Sequence, residues 1–303
     1  MGYSSYSSIS RSVRATASGY YSKGRDELFT QQKEMKAHKD MMPTDVSLRV
    51  CGDSEAHPNT VPVQLYLDVT GSMGHIPHDL IKDGLPKMIG RLIQNGVPDV
   101  SMMFGAIGDH ECDQYPLQVG QFESGDEELD MWLTRTYLEG CGGGNMGESY
   151  PLAWYFAGNH VQHDCFDLRK KKGFVITIGD EPFLPTYPQS AIKEIMGSTC
   201  AVQSTMTAEE LFEEASKKNH VFHIHINHGS RRCSDAWKQL LGKNLIETDD
   251  YTKLPDIISK LVLNTLGQEP KNEEFIASAD TASNEETASD EAPSADKPSV
   301  DML

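Results

Sequence analysis

Short apolar runs alternate with longer amphipathic stretches through the centre of the chain. The runs short enough to form buried strands are residues 63–67, 100–107, 174–178 and 221–226, with a shorter one near 244–248. The stretches between and after them are predicted helices: residues 76–95, 126–136, 148–163, 207–218, 231–242 and 251–266. This alternation is typical of βαβ units. We therefore predict a three-layer, doubly wound α/β fold, with helices flanking a mostly parallel six-stranded sheet that has a short antiparallel edge strand near residues 116–119.

The pattern is absent at both ends of the chain. Residues 1–58 are predicted to be an N-terminal extension whose first 24 residues are Ser/Tyr/Gly-rich, without a period, and flexible. Within it, residues 25–40 are predicted to form one helix that packs on the domain or on a partner. The domain itself is assigned to residues 59–266. Residues 267–303 hold ten Asp or Glu and two Lys, which predicts a disordered acidic tail.

Composition narrows the classes of partner. The formal net charge is −18, which argues against nonspecific binding to nucleic acid. The sequence lacks an apolar run of about 18 residues that could cross a bilayer, so we expect no membrane partner. The six cysteines are widely spaced and the N-terminus has no apolar signal region, from which we expect a cytoplasmic protein.

Oxygen-bearing residues follow several of the predicted strands. They are Asp68-Val69-Thr70-Gly71-Ser72, Gly108-Asp109-His110, the Gly-rich stretch 142–149, and Gly179-Asp180-Glu181-Pro182. Ligands of doubly wound sheets bind beyond the carboxyl ends of the strands, where these residues would meet. Hydroxyl and carboxylate oxygens suit Mg²⁺ or Mn²⁺, and Ca²⁺ less well.

The Asp68-x-Thr70-x-Ser72 element resembles the D-x-[ST]-x-S element of the metal-ion-dependent adhesion site (MIDAS) of von Willebrand factor A (VWA) domains. The later Gly-rich loop and Asp180 fall where that family has its second and third metal loops. The resemblance covers roughly residues 60–266 and implies the VWA arrangement of the α/β fold.

The resemblance also implies a ligand set. Ser72 and Thr70 would bind a divalent metal directly, and Asp68 and Asp180 would bind it directly or through water. The sequence departs from the family at Gly144, where many members have Thr; Asn145 or Glu148 substitutes for it, or water fills the position. Asp109 is given a supporting role.

The function implied is a metal-dependent protein-binding module without catalysis. An open position on Mg²⁺, Mn²⁺ or Ca²⁺ would take an Asp or Glu carboxylate of a protein partner, such as an AAA+ ATPase or a large assembly. One alternative is a metal-dependent hydrolase or phosphate-binding enzyme, in which Asp68, Asp109, Asp180 and Glu181 would activate water. Another is a structural subunit whose site has degenerated, as Gly144 suggests.

Simpler interpretations compete with each motif. Thr70 and Ser72 resemble ordinary helix-start residues, and Glu148 can equally well open a helix. The Gly-rich stretch lacks the G-K-[ST] of a phosphate-binding loop. The histidines His220, His223, His225 and His228 could bind zinc, but we predict that they are buried or hydrogen-bonded without a metal.

Overall fold

A computed structural model describes most of the chain. The described residues are 4–97, 99–140, 147–197, 200–228 and 232–268. The predicted tail lies outside the described residues except for its first two positions, and so do Gly144 and Asn145.

The main sheet has the predicted number of strands and the predicted strand directions. The strands of the described residues are β1 (Arg49–Cys51), β2 (Val61–Asp68), β3 (Val100–Ile107), β4 (Leu117–Val119), β5 (Val161–His163), β6 (Gly173–Gly179), β7 (Thr186–Tyr187), β8 (Met206–Thr207), β9 (Asn219–Ile226) and β10 (Leu245–Thr248). Six of them form the main sheet in the order β10-β9-β6-β2-β3-β4. Neighbours in the sheet are parallel, except that β4 runs antiparallel to β3. The predicted mostly parallel sheet with an antiparallel edge is confirmed.

Helices cover both faces of this sheet. They are α1 (Ser8–Ala17), α2 (Arg25–Leu28), α3 (Ile76–Asp79), α4 (Leu85–Gln94), α5 (Asp126–Thr134), α6 (Tyr150–Asn159), α7 (Asp164–Asp167), α8 (Gln189–Met196), α9 (Ala208–Ser216), α10 (Asp235–Leu241) and α11 (Leu254–Thr265). Val63, Leu65 and Leu67 of β2 join the core under α4 and α11, whereas Tyr66 joins the core under α6 and α9. Because successive strand residues point to opposite faces, β2 is buried on both sides, and the three-layer fold is confirmed.

Local signals set several helix boundaries. The α9 helix starts with a capping box, in which Thr207 Oγ1 accepts from Glu210 N (3.2 Å) and Glu210 Oε2 accepts from Thr207 N (2.8 Å). The predicted helix over residues 76–95 is present as α3 and α4, joined by a π-helical turn at Leu80–Gly84. No helix of the described residues is long and apolar enough to cross a membrane.

The N-terminal extension corrects two predictions. Part of the segment predicted to be irregular forms α1, whose Arg11 and Arg14 both form ion pairs with Asp130 of α5. The helix predicted over residues 25–40 ends at Leu28. Phe29 leaves the helical conformation and is fully buried, and Thr30 N donates to the Thr134 carbonyl (2.9 Å). Tertiary hydrogen bonds and burial therefore override the local helical tendency.

The helix predicted over residues 148–163 is also too long. It ends at Asn159, and β5 follows and pairs in parallel with β1, forming a small second sheet. The Arg49 N–H donates to the His160 carbonyl (2.8 Å), so the residues after α6 make their backbone hydrogen bonds to the N-terminal extension rather than within a helix. The segments α8, β7 and β8 were not predicted.

Candidate metal site

The centre of the site is Asp68, the last residue of β2. Its side chain is fully buried. Asp68 Oδ1 accepts hydrogen bonds from Thr70 N (2.9 Å) and Thr70 Oγ1 (2.6 Å), and Asp68 Oδ2 accepts one from the Tyr150 hydroxyl (2.6 Å). The strand end, the turn after it and the start of α6 therefore meet at this one carboxylate.

A row of closely spaced oxygen atoms continues from Thr70 to the neighbouring strand. Thr70 Oγ1 lies 3.2 Å from Ser72 Oγ, and Ser72 Oγ donates to Asp180 Oδ1 (2.7 Å). Asp180 follows β6, which pairs with β2 up to Leu67 and Ile178, so the two strand ends are adjacent. The structure thus brings Asp68, Thr70, Ser72 and Asp180 together, as the motif predicted.

Tyr150 belongs to this site and was missed by sequence reasoning, as was the role of Gly179 beside it. A Cβ atom at Gly179 would overlap the Tyr150 hydroxyl and lie 2.6 Å from the ring carbons Cε1 and Cζ. Gly179 is therefore required for Tyr150 to reach Asp68. No local signal distinguishes Tyr150 from the other apolar and aromatic residues of its helix.

Glu148 is the fifth predicted ligand that the structure describes. Its backbone is held against the loop after β6, since Glu148 N donates to the Pro182 carbonyl (2.8 Å) and its own carbonyl accepts from Leu184 N (3.1 Å). The side chain is buried, and no described residue donates a hydrogen bond to its Oε2 atom. Asn145, the sixth predicted ligand, lies outside the described residues, so its contribution stays a prediction.

Asp109 follows β3 at the same edge of the sheet. Its Oδ1 atom accepts from Glu111 N (2.9 Å), while its buried Oδ2 atom accepts no hydrogen bond from a described residue. The Asp109 N–H donates to Asp113 Oδ2 (2.7 Å). Burial raises the pKa of Asp113 to about 6, with a smaller contribution from repulsion by Glu139 and Asp109 and with this hydrogen bond acting in the opposite direction.

Burial and neighbouring carboxylates disfavour the charged forms of Asp68 and Glu148. Burial raises the pKa of Asp68 to about 7, against the opposing effect of its hydrogen bonds from Thr70 and Tyr150. Burial, with a smaller contribution from repulsion by Asp68, Asp113 and Asp109, raises the pKa of Glu148 to about 10. Among the described residues, the main influences on these two pKa values include other carboxylates but no cationic side chain.

The donor set is rich in hydroxyl groups. Within the described part of the chain, no three Asp, Glu, His or Cys side chains converge as a metal site made only of those residues would require. The candidate consists instead of two hydroxyl and two carboxylate groups in one row of closely spaced oxygens. One carboxylate oxygen of Glu148 and one of Asp109, at the same edge of the sheet, accept no hydrogen bond from a described residue. An all-oxygen set of this kind fits a small divalent cation.

Comparison with known proteins finds likeness in structure only. Neither a protein-family model nor a curated protein matches this sequence. Solved structures similar to the chain include the von Willebrand factor domain of the type V pilus tip protein Mfa5 from Porphyromonas gingivalis, with 11% identity, a TM-score of 0.46, and coverage of 75% of this chain and 98% of that one.

Two longer proteins resemble this chain in structure with similarly low sequence identity and TM-score. The pilus adhesin SpaC from Lactobacillus rhamnosus GG has 9% identity and a TM-score of 0.45, with coverage of 71% of this chain and 31% of SpaC. Proximal thread matrix protein 1 of the mussel byssus, with a zinc-occupied MIDAS motif, has 12% identity and a TM-score of 0.42, with coverage of 72% and 48%. The chain spans less than half of either protein. Similarity this low carries no functional argument, so function must be argued from the side chains.

The histidines on β9 contribute to packing. His223 is fully buried, its Nδ1 atom lies 2.9 Å from Thr177 Oγ1, and its ring stacks on Trp237 at 3.7 Å. His225 is also buried, whereas His228 is exposed. Burial lowers the pKa of His225 to about 4. No group of three potential zinc ligands occurs among the described residues, and the prediction that His223 and His225 are buried is confirmed.

The structure also pairs Ser149 with His110, which the sequence did not suggest. Ser149 Oγ lies 2.8 Å from His110 Nδ1 and accepts a hydrogen bond from His110 N (2.9 Å). A serine beside an imidazole resembles a nucleophile with its base. Ser149 is completely buried, however, so in this conformation its hydroxyl holds the loop after β3 rather than facing a substrate.

Proposed function

We propose that the chain is a VWA-like protein-binding module that holds one divalent cation through Asp68, Thr70, Ser72 and Asp180. The observation that supports this proposal is the row of their four side-chain oxygens at the carboxyl edge of the sheet, in which each oxygen lies 2.6–3.2 Å from the next. Glu148, and Asn145 by analogy with the second metal loop, would complete the set directly or through water. When bound, the cation supplies a Lewis-acidic position for an external oxygen ligand.

The environment of the site indicates which side stays open. Asp68, Thr70 and Asp180 are buried, whereas Ser72 is partly exposed, and the neighbouring Gly71, Gly74 and His75 are exposed. We propose that a partner approaches over this exposed turn and contributes an Asp or Glu carboxylate. Two neutral hydroxyl ligands neutralise less of the cation's charge than carboxylates would, which favours binding of an external carboxylate.

The proposal extends to the kind of metal and the kind of partner. The oxygen-only donor set favours Mg²⁺ or Mn²⁺, with Ca²⁺ as an alternative. We propose an acidic segment of a protein partner, such as an AAA+ ATPase or a large assembly, as the ligand.

Thermal unfolding of the wild type and of Ser72→Ala tests the metal site. The wild type should melt at a higher temperature with Mg²⁺ or Mn²⁺ than with chelator, because a ligand of the native state stabilises it by mass action. Ser72→Ala should weaken metal binding at least about ten-fold, yet melt near the wild type in chelator because its side chain is partly exposed. Ser22→Ala is the control, because it removes an exposed hydroxyl that is distant in sequence from the proposed ligands.

A wild type whose melting temperature is the same in chelator and in each metal would contradict the proposal. The interpretation as a structural subunit with a degenerate site would then be favoured.

A matched pair of peptides tests the partner carboxylate. A short peptide with one Glu should bind the Mg²⁺-loaded protein, and binding should vanish with chelator or when that Glu is replaced by Gln. Isothermal titration calorimetry measures both effects. Equal binding of the Glu and Gln peptides would show that the cation does not take a carboxylate.

A further inference from the structure

The segment Leu138–Gly140 lies between the N-terminal extension and the candidate metal site. On one side, Gln32 forms two hydrogen bonds with Leu138: its Oε1 atom accepts from Leu138 N (2.7 Å) and its Nε2 atom donates to Leu138 O (3.0 Å). Arg25 Nη2 donates to the same carbonyl. One side-chain amide thus replaces the pairing that a neighbouring strand would provide.

Arg25 also packs against the backbone of this segment. Gly140 has a φ of +65°, a left-handed conformation that favours glycine, and a Cβ atom there would lie 3.0 Å from Arg25 Nη2. The guanidinium group therefore packs directly against the Gly140 backbone. A side chain at Gly140 would therefore disturb both the turn and its contact with the N-terminal extension.

On its other side, the segment contacts the turn after β2 and the loop after β3. Gly140 N donates to the carbonyl of Val69, the residue between Asp68 and Thr70 (3.2 Å). The Glu139 carboxylate accepts from Gln114 N (3.0 Å) and Tyr115 N (3.3 Å), in the loop that begins with Asp109. The 138–140 segment thus joins the extension to the turn that carries two proposed metal ligands.

We infer that Arg25 and Gln32 are positioning residues for the metal site, acting through the hydrogen bond from Gly140 to Val69. The backbone between Asp68 and Thr70 sets where their oxygens lie relative to each other, and this bond is its link to the extension. Leu138 and Val69 are both buried, so the connection runs through a packed region in which a displacement is transmitted. The N-terminal extension then contributes to metal binding, and a partner that displaced it would lower the affinity of the site for the cation.

The test compares Gln32→Ala with Arg14→Ala in the full chain. Arg14 joins the same extension to α5, since its guanidinium binds Asp126 and Asp130 of that helix rather than the 138–140 segment. Gln32→Ala should raise the Mn²⁺ dissociation constant about ten-fold, as outer-shell changes do, and speed hydrogen exchange of the Gly140 amide. Gln32→Glu keeps the acceptor for Leu138 N and should give an intermediate result. Arg14→Ala should change neither quantity.

The inference rests on the proposed function, and the two readouts separate their failures. If the wild type binds Mn²⁺ but Gln32→Ala binds it equally well, the inference is overturned and the proposed function stands. If the wild type binds no Mn²⁺, the proposed function fails, and the exchange rate decides: a faster Gly140 amide in Gln32→Ala supports the coupling, and an unchanged one overturns it. Equal effects of Arg14→Ala and Gln32→Ala would overturn it in favour of general loosening of the extension.

Discussion

Replacing Asp68 with alanine is expected to abolish the stabilisation of the protein by Mg²⁺ or Mn²⁺. Asp68 is the buried carboxylate that accepts hydrogen bonds from both Thr70 and the Tyr150 hydroxyl. Metal at about 100 times its dissociation constant should stabilise the wild type by about 2.7 kcal/mol. For a domain of this size, that raises the melting temperature by roughly 5–10 °C. The variant should show no such rise.

Asp68→Asn separates charge from volume in this experiment. The amide has nearly the same shape and keeps an acceptor for Thr70, but it lacks the negative charge that a cation requires. We expect Asp68→Asn to fold and to lose the metal response as Asp68→Ala does. Differential scanning calorimetry measures the melting temperature. If metal raised it in either variant as much as in the wild type, the cation would bind elsewhere in the protein.

Replacing Gly179 with alanine is expected to destabilise the protein by about 3 kcal/mol or more, near the upper end for overpacking a core. The new Cβ atom would overlap the Tyr150 hydroxyl, and Tyr150 has nowhere to move because it is fully buried against His223 and Trp237. Displacing its ring would also break the hydrogen bond to Asp68. Urea unfolding monitored by circular dichroism measures the loss.

Gly24→Ala is the matched control for this substitution. Gly24 has a φ of −73°, and no described atom lies within 4 Å of the added Cβ atom. Its free energy of unfolding should stay within about 0.5 kcal/mol of the wild type, as for most surface changes. If Gly179→Ala behaved like Gly24→Ala, Tyr150 would not occupy the position beside Gly179, and its hydrogen bond to Asp68 would be in doubt.

Much of the fold could be read from the hydrophobic pattern. Buried parallel strands are short continuous apolar runs, so β2, β3, β6 and β9 were each located to within a few residues. The candidate site followed from the same logic. Parallel strands end at one edge, which is why Asp68 on β2 and Asp180 after β6 could be expected to meet.

The N-terminal extension could not be predicted because its pattern is inverted. In α1 the apolar Ile9 and Val13 are 78% and 66% exposed, whereas Arg11 is buried. Arg11 is tolerated inside because Asp130 of α5 pairs with it across 119 positions of sequence. A local pattern contains no information about such a partner.

The sequence by itself determined the layered fold and the succession of its main strands and helices along the chain. It also determined which four hydroxyl and carboxylate groups lie together at the sheet edge. Those features depend on periodicity and on short motifs, which act over a few residues. Only the tertiary structure decided that Tyr150 reaches Asp68 past Gly179, and that Gln32 and Arg25 bind Leu138 beside the same turn. These contacts join residues far apart in the chain, and they exist because polar groups removed from water by folding need hydrogen-bond partners inside the protein.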